Sequence, residues 1–373
     1  MNIVVVGGGL AGANAVEELR AQGYEDDLTL VGAEAHLPYE RPPLSKGLLL
    51  GSAEPDSVFA HDAEWYAEHQ VELVLDSRVE SLDLDRGRVA LADRELPYDR
   101  LLLATGATPR RLPLADAAGV PVVYLRTLED SIALKERLTG RIVVVGAGWI
   151  GLEVAAAARE AGAEVTVVEQ AAQPLEAVLG PEVGAMFAEL HREHGVDLRL
   201  GTSVDTETLA AADLVVVGIG AIPDDDLARA AGLDCDDGVL VDAWLRASDP
   251  HVFAAGDVAR HDHPLLGSIR VEHWDAAIHQ GRAAARVMLG GDTAYDRMPY
   301  FFTDQYDLGM EYVGHTGAAG YDEVVISGDR AERKITAFWL RAGTVVAGMH
   351  LNDWDAIDTI RSAVSGGSNA PSA

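Results

Sequence analysis

Cysteine is almost absent: the 373 residues contain one, Cys235. A single thiol cannot build an intrachain disulfide, a CxxC redox pair or a cysteine-ligated zinc site. Lysine is nearly as scarce, with only Lys46, Lys135 and Lys334, so arginine carries most of the positive charge. Cations as a whole fall far short of acids, 29 Lys and Arg against 60 Asp and Glu, for a formal net charge of −31. Such a chain does not offer the clustered cations that duplex nucleic acid or an anionic membrane requires. Long apolar runs are missing too; Leu214 to Ile222 is far short of a bilayer. Met1 leads straight into Asn2-Ile3-Val4-Val5-Val6 with no charged leader and no separate apolar stretch. No signal peptide is expected, and a soluble, cytoplasmic protein is.

What is present is a chain long enough for two or three domains, with 48% apolar residues to fill their cores. Two segments repeat one pattern. Ile3 to Gly12 reads IVVVGGGLAG and Ile142 to Gly151 reads IVVVGAGWIG. Each is a β-branched run, then Gly-x-Gly-x-x-Gly, then an Ala-rich stretch of helical period. Each continues into a second apolar strand, Leu28 to Val31 or Val165 to Val168, followed by an acid. Glu34 lies 22 positions after Gly12, and Glu169 lies 18 after Gly151, both near the ~20 of a dinucleotide-binding βαβ unit. A lone glycine triplet is a weak sign, since a tight turn without ligand explains it equally well. Here the strand, the helix and the acid all recur, which favours two nucleotide sites. Further strands are expected at Leu101–Leu103, Asp213–Ile219, Gly238–Val241 and His251–Ala255. From Pro299 the pattern becomes an aromatic-rich alternation over Val324–Ser327, Ile335–Leu340 and Thr344–Leu351, which predicts a small antiparallel sheet. A short helix is expected near Trp354–Val364, followed by a frayed tail over Ser365–Ala373.

In the first unit the helix starting near Leu10 would offer free backbone N–H groups to a pyrophosphate. Gly7 would make the turn, Gly9 would let the phosphate approach, and Gly12 would let strand and helix pack closely. Glu34 would accept hydrogen bonds from an adenosine ribose and repel a 2′-phosphate, so the ligand is expected to be FAD or NAD, not NADP. Gly146, Gly148, Gly151 and Glu169 repeat the argument. Gln170-Ala171-Ala172-Gln173 supplies no arginine to clamp a 2′-phosphate, so NADH is preferred over NADPH. Two such sites in one chain imply hydride transfer from a nicotinamide to a flavin.

Other segments are more specific. Arg41-Pro42-Pro43-Leu44-Ser45-Lys46 follows the first acid, Ala104-Thr105-Gly106 closes a strand, and Gly151-Leu152-Glu153 extends the second fingerprint. Ala255-Gly256-Asp257 ends another strand, and Arg270-Val271-Glu272-His273-Trp274 precedes a helix containing Gln280-Gly281. Together these resemble the two-dinucleotide-binding flavoprotein reductases, and within them the ferredoxin and redoxin reductases of bacterial Rieske oxygenases and cytochromes P450. Asp304-Gln305-Tyr306-Asp307 suits the same group, and apoptosis-inducing-factor-like proteins are close relatives.

The resemblance implies an α/β fold of two Rossmann-like dinucleotide-binding domains plus a small C-terminal α+β domain. Residues 1–110 and 241–298 would form the FAD domain, 111–240 an inserted NAD domain and 299–364 the third domain, with 365–373 a flexible tail. It implies that Gly7, Gly9, Gly12 and Glu34 hold the ADP half of FAD, that Thr105 and Gly106 pass its adenosine side, and that Gly256 and Asp257 reach its ribitol or pyrophosphate. Arg41 and Lys46 would reach the pyrophosphate and isoalloxazine regions, Lys46 lying near flavin N5, while His273 and Trp274 would meet the pyrimidine end. Gly146, Gly148, Ile150, Gly151, Glu153 and Glu169 would seat NADH. Lys46 and Glu153 would pair and act catalytically, stabilising the charge of reduced flavin. Plainer readings stand beside these: a solvated Lys46, a first-turn acid at Glu153, a helix cap at Asp257, a surface Arg41 and a core Trp274. Phe301 and Phe302 read as core aromatics, His279 as non-catalytic and Cys235 as a bystander.

The segment Tyr39 to Lys46 contains no cysteine, unlike that of relatives acting on disulfides, peroxide or coenzyme A. No Ser-His-Asp or metal cluster is evident. The reading is therefore an NADH-dependent, FAD-containing reductase passing single electrons to a ferredoxin-type iron–sulfur protein. Two alternatives remain: reduction of a small molecule such as a quinone or radical, and a slow-turnover NADH sensor of the apoptosis-inducing-factor kind. An acidic ferredoxin would need a local basic patch on this acidic chain; Arg270, Arg282, Arg286, Arg297, Arg330 and Arg333 are the candidates.

Overall fold

The computed structural model describes residues 1–317 and 320–366. The chain divides into two compact units, one of residues 1–40, 58–108 and 222–299 and one of residues 41–57, 109–221 and 300–373.

The first unit is built on a five-stranded sheet in the order Val252–Ala254, Arg100–Leu103, Ile3–Val6, Leu28–Val31, Val71–Val74. All its pairings are parallel. The central strands are apolar without alternation and buried throughout, as strands covered on both faces must be. The first fingerprint runs from the end of Ile3–Val6 into the helix Leu10–Ala21. That helix packs against the helix Trp274–Met288, and the crossing is made by small residues. A Cβ on Gly281 would stand 2.3 Å from the carbonyl oxygen of Ala11. Two three-stranded sheets complete the unit: a meander of Ser81–Asp83, Arg88–Ala90 and Glu95–Pro97, and a mixed sheet of Val239–Val241, Ala259–His263 and Gly267–Arg270.

The second unit repeats the plan. Its parallel sheet has the order Asp197–Arg199, Glu164–Val168, Arg141–Val145, Leu214–Val217, Val122–Val123. The second fingerprint joins Arg141–Val145 to the helix Trp149–Glu160. A longer helix, Glu176–Glu193, is broken at Gly180, whose φ of 74° precedes Pro181. Residues 300 onward form a five-stranded antiparallel sheet in the order Tyr300–Gln305, Leu308–Gly314, Thr344–Leu351, Lys334–Arg341, Glu323–Asp329. Its core contains Tyr312, Trp339 and Met349, all buried. The expected helix near Trp354 begins with a 3₁₀ turn, Trp354–Ala356, and continues as the α-helix Ile357–Gly366. That helix reaches two residues into the segment expected to fray; residues 367–373 lie outside the described residues. The architecture is thus the mixed α/β fold expected, with two Rossmann-like sheets and a small C-terminal sheet.

Candidate functional site

Both glycine-rich turns have the same geometry, which follows from three different demands on their glycines. Gly7 and Gly146 sit at φ of 124° and 101°, where L side chains are strained. A Cβ on Gly7 would lie 2.0 Å from the Ala104 carbonyl oxygen, and one on Gly146 2.3 Å from that of Gly218. Gly12 and Gly151 press on the turn itself, a Cβ there standing 2.2 Å from the Gly7 oxygen and 2.1 Å from the Gly146 oxygen. The middle glycines differ. A Cβ on Gly9 meets nothing within 4 Å, and one on Gly148 only the Gly218 oxygen at 4.0 Å. Gly9 and Gly148 are also the N-cap residues of their helices, and neither cap makes a side-chain hydrogen bond. Each turn therefore leaves an open concavity at a helix N-terminus, which fits the pyrophosphate of a dinucleotide.

In the first unit two of the other candidate residues stand against this turn and its helix. The backbone of Thr105 lies beside Gly7, and Gly256 (φ 77°) stands against Ala11 and Ala277. Thr105 Oγ1 donates to the carbonyl of Asp224 at 2.7 Å, and Gly106 accepts from the Asp224 amide. The Gly256 amide donates to Gln280 Oε1 at 2.8 Å, tying the Gly256–Val258 turn to the helix Trp274–Met288. His273 caps that helix, its Nδ1 accepting from the Asp275 amide, and Trp274 opens it. Asp257 occupies the 3₁₀ turn that Gly256 begins, and its carbonyl accepts from Arg270. Glu34 follows the strand Leu28–Val31 and accepts from Tyr39 Oη at 2.5 Å. Asp275, buried at the start of the helix, takes a bidentate pair from Arg297, both bonds 2.7 Å.

The second unit holds the chemically richest cluster. Glu153, on the fingerprint helix, is only 4% exposed and Lys46 is 17% exposed; Lys46 Nζ stands 2.9 Å from Glu153 Oε2. Ser45 Oγ donates to the same oxygen at 2.5 Å, and Thr303 Oγ1 donates to Oε1 at 2.6 Å. The 3₁₀ turn Pro42–Ser45 delivers Ser45 and Lys46, its two prolines stiffening the approach. Lys46 also faces the ring of Phe302, 5.1 Å from its centroid, a cation–π contact. Phe301 stacks near Trp149 at 6.5 Å. Neither phenylalanine is fully buried, so the expectation of simple core residues does not describe Phe302. Burial raises the Asp304 carboxyl, against the lowering effect of nearby Lys46. Glu169 turns back onto its own glycine loop, accepting from the Ala147 amide at 2.7 Å and the Ala171 amide at 2.8 Å. Ile150 is exposed beside that loop, and Arg41 donates to the Arg126 carbonyl at 2.5 Å.

The sequence reading missed Ser45, Thr303, Gln280, Asp275 and Arg297 as individual participants. Ser45 and Gln280 sit in segments that the sequence singles out, and Arg297 is among the candidate docking arginines; Thr303 and Asp275 carry no spacing signal. The arginines offered as a basic patch are largely matched by acids. Arg270 pairs with Asp237 and Glu272, Arg282 with Glu17, Arg286 with Glu18, Arg297 with Asp275, and Arg333 with Glu193. Cys235 is half-buried, and burial pushes its thiol up. Among the described residues no group of three or more His, Cys, Asp and Glu is placed to hold a metal ion, and no helix is long and apolar enough to cross a membrane.

Comparison with known proteins agrees with this geometry. Residues 1–281 match the pyridine nucleotide-disulphide oxidoreductase family, and residues 300–373 match the reductase C-terminal family. The chain is 40% identical over 370 residues to putidaredoxin reductase CamA of Pseudomonas putida, covering 93% of this chain and 87% of that one. It is also 40% identical over 383 residues to the ferredoxin–NAD(+) reductase component of the anthranilate 1,2-dioxygenase system of Burkholderia cepacia, covering 98% and 94%. The covalent putidaredoxin reductase–putidaredoxin complex superposes with a TM-score of 0.92 at 38% identity, over 98% of this chain and 93% of that one. The ferredoxin reductase for the CYP199A2 system of Rhodopseudomonas palustris gives 0.91 at 34% identity, over 99% and 95%.

Proposed function

The chain belongs to the pyridine nucleotide-disulphide oxidoreductase family, and from that premise we propose that it is an FAD-containing, NADH-dependent reductase of a ferredoxin-type iron–sulfur protein. When bound, FAD and NADH supply hydride transfer followed by release of single electrons. What remains for the chain is to hold, orient and charge-balance. The Gly7–Gly12 turn would hold the FAD pyrophosphate, Glu34 its ribose, and Thr105, Gly106, Gly256 and Asp257 the path toward the ring. His273 and Trp274 would present the start of their helix to the pyrimidine end. The Gly146–Gly151 turn, Ile150 and Glu169 would seat NADH, with Glu169 disfavouring a 2′-phosphate. On this reading residues 1–110 and 241–298 are the FAD domain, 111–240 the NADH domain and 299–364 the third domain.

Lys46 would place one positive charge where negative charge develops on reduction, and Glu153 would keep that ammonium in a single position. Burial of such a pair is costly unless both partners are well bonded, and here three donors converge on the one carboxylate. The observation that carries the reading is the doubled open cradle in a chain whose Tyr39–Lys46 segment has no cysteine. Two dinucleotides are provided for, and no disulfide stands in that segment to receive their electrons. An iron–sulfur acceptor is supported by the named activities of the relatives.

Anaerobic mixing with NADH tests this. Rapid bleaching of the flavin band near about 450 nm, followed by reduction of an added iron–sulfur protein, is the expected result. Turnover only with quinones, or reduction over minutes into a persistent long-wavelength complex, would contradict it.

A further inference from the structure

The carboxylate of Glu153 ends a chain of hydrogen bonds that runs through the second unit to a buried imidazole. Thr303, Gln305 and His191 are 0%, 1% and 0% exposed. Thr303 Oγ1 lies 2.6 Å from Glu153 Oε1, Gln305 Nε2 lies 3.1 Å from Thr303 Oγ1, and His191 Nε2 lies 2.8 Å from Gln305 Oε1. The direction of each bond follows from the end of the chain. An ionised carboxylate only accepts, so the one hydroxyl proton of Thr303 goes to Glu153. Thr303 can then only accept from Gln305, which fixes the amide with its nitrogen toward Thr303. The amide oxygen in turn must accept, which requires the proton of His191 to be on Nε2.

We propose that Gln305 and His191 are positioning residues for Glu153, holding the Thr303 hydroxyl on Oε1 so that Oε2 faces Lys46 and Ser45. This rests on the catalytic reading of the Lys46–Glu153 pair given above. Two features support it. The far nitrogen of the imidazole, Nδ1, is buried with no partner, a cost that an apolar side chain in the same space would avoid. The ring is also held in place: Tyr306 meets it edge-on at 5.3 Å and stacks on His194 at 3.6 Å, from a backbone at φ 56°. Burial keeps the imidazole neutral, lowering its pKa to about 4, so the polarity of the chain does not reverse near neutral pH. The chain carries orientation and not protons, because an amide in its middle does not relay them.

Two measurements test the proposal. Long-range proton–nitrogen NMR of the histidine-labelled, FAD-loaded protein at pH 7 should show His191 as the neutral Nε2–H tautomer; an Nδ1–H tautomer or a cationic ring would overturn it. Gln305→Leu removes both hydrogen bonds of the amide, and His191→Phe keeps a ring without the Nε2 proton. Each is expected to slow flavin reduction by NADH about tenfold, and to add little to the loss caused by Glu153→Gln, as partners in one network do. Losses that multiply in full with Glu153→Gln would make these residues merely structural. If Glu153→Gln itself leaves flavin reduction unchanged, the catalytic reading of the pair fails, while the tautomer still decides whether the chain exists. If the variants do not fold, the tautomer in the wild-type protein is decisive.

Discussion

Lys46 is one of three lysines in the chain, and its burial beside Glu153 makes it the most informative single side chain. Removing one member of a buried pair leaves the other in a poor solvent, so Lys46→Met is expected to destabilise the protein by about 3 kcal/mol. Lys46→Met combined with Glu153→Leu should recover much of that loss while flavin reduction stays slow. Denaturant unfolding beside stopped-flow reduction separates the two effects; stability equal to wild type in Lys46→Met would return the lysine to an ordinary surface role. Glu169→Ala should weaken NADH and relax discrimination against NADPH, read as the ratio of the two kcat/KM values. The sequence made Lys46, Glu153 and Glu169 legible because each lies in a recognisable motif or at a fixed offset from one. Thr303, Gln305 and His191 were not legible as a set. They come from two segments more than a hundred residues apart in the chain, and a hydrogen-bond chain leaves no periodic trace.

At the scale of the element, the two glycine-rich turns separate packing from binding. Gly281→Ala would drive a methyl group into the Ala11 carbonyl, so the two helices must move apart and the folded yield should fall. Gly9→Ala meets no protein atom within 4 Å, and its φ of −89° suits any residue. That variant should fold with an unchanged circular dichroism spectrum yet bind FAD at least about tenfold more weakly, a loss of ~1.4 kcal/mol. Normal flavin content in purified Gly9→Ala would show that the turn is not where the pyrophosphate sits. These turns were read correctly in the sequence because strand, turn and helix are specified locally, by β-branched residues followed by glycines at fixed offsets. The aromatic alternation after Pro299 also announced an antiparallel sheet. Its five-stranded order was not legible, since pairing Leu308–Gly314 with Thr344–Leu351 depends on contacts remote in sequence.

For the whole molecule, charge sets the response to conditions. His191 and His261 are both buried, and burial pushes each down to about 4. In the unfolded chain they titrate near 6.5, so below that pH the unfolded state takes up protons that the native state refuses. Their contribution is complete above about 6.5 and is lost as pH falls toward about 4, a change on the order of 3 kcal/mol for each group. Unfolding free energy measured at pH 7.5 and pH 5 should show the drop; a flat profile would mean that these rings are not buried neutral. The net charge of −31, with five of the six candidate docking arginines paired to acids, favours long-range repulsion of an acidic iron–sulfur protein. Its kcat/KM should therefore rise with added salt as repulsion is screened. A steep fall with salt would reveal an attractive patch.

The account turns on one transfer, and anaerobic stopped-flow absorbance observes it directly. Purified protein carrying FAD should bleach within the instrument's first seconds when mixed with NADH and far more slowly with NADPH, and should recover its colour when an oxidised iron–sulfur protein is added. A colourless protein, equal response to the two nucleotides, or a reduced state that persists in the presence of that acceptor would contradict it.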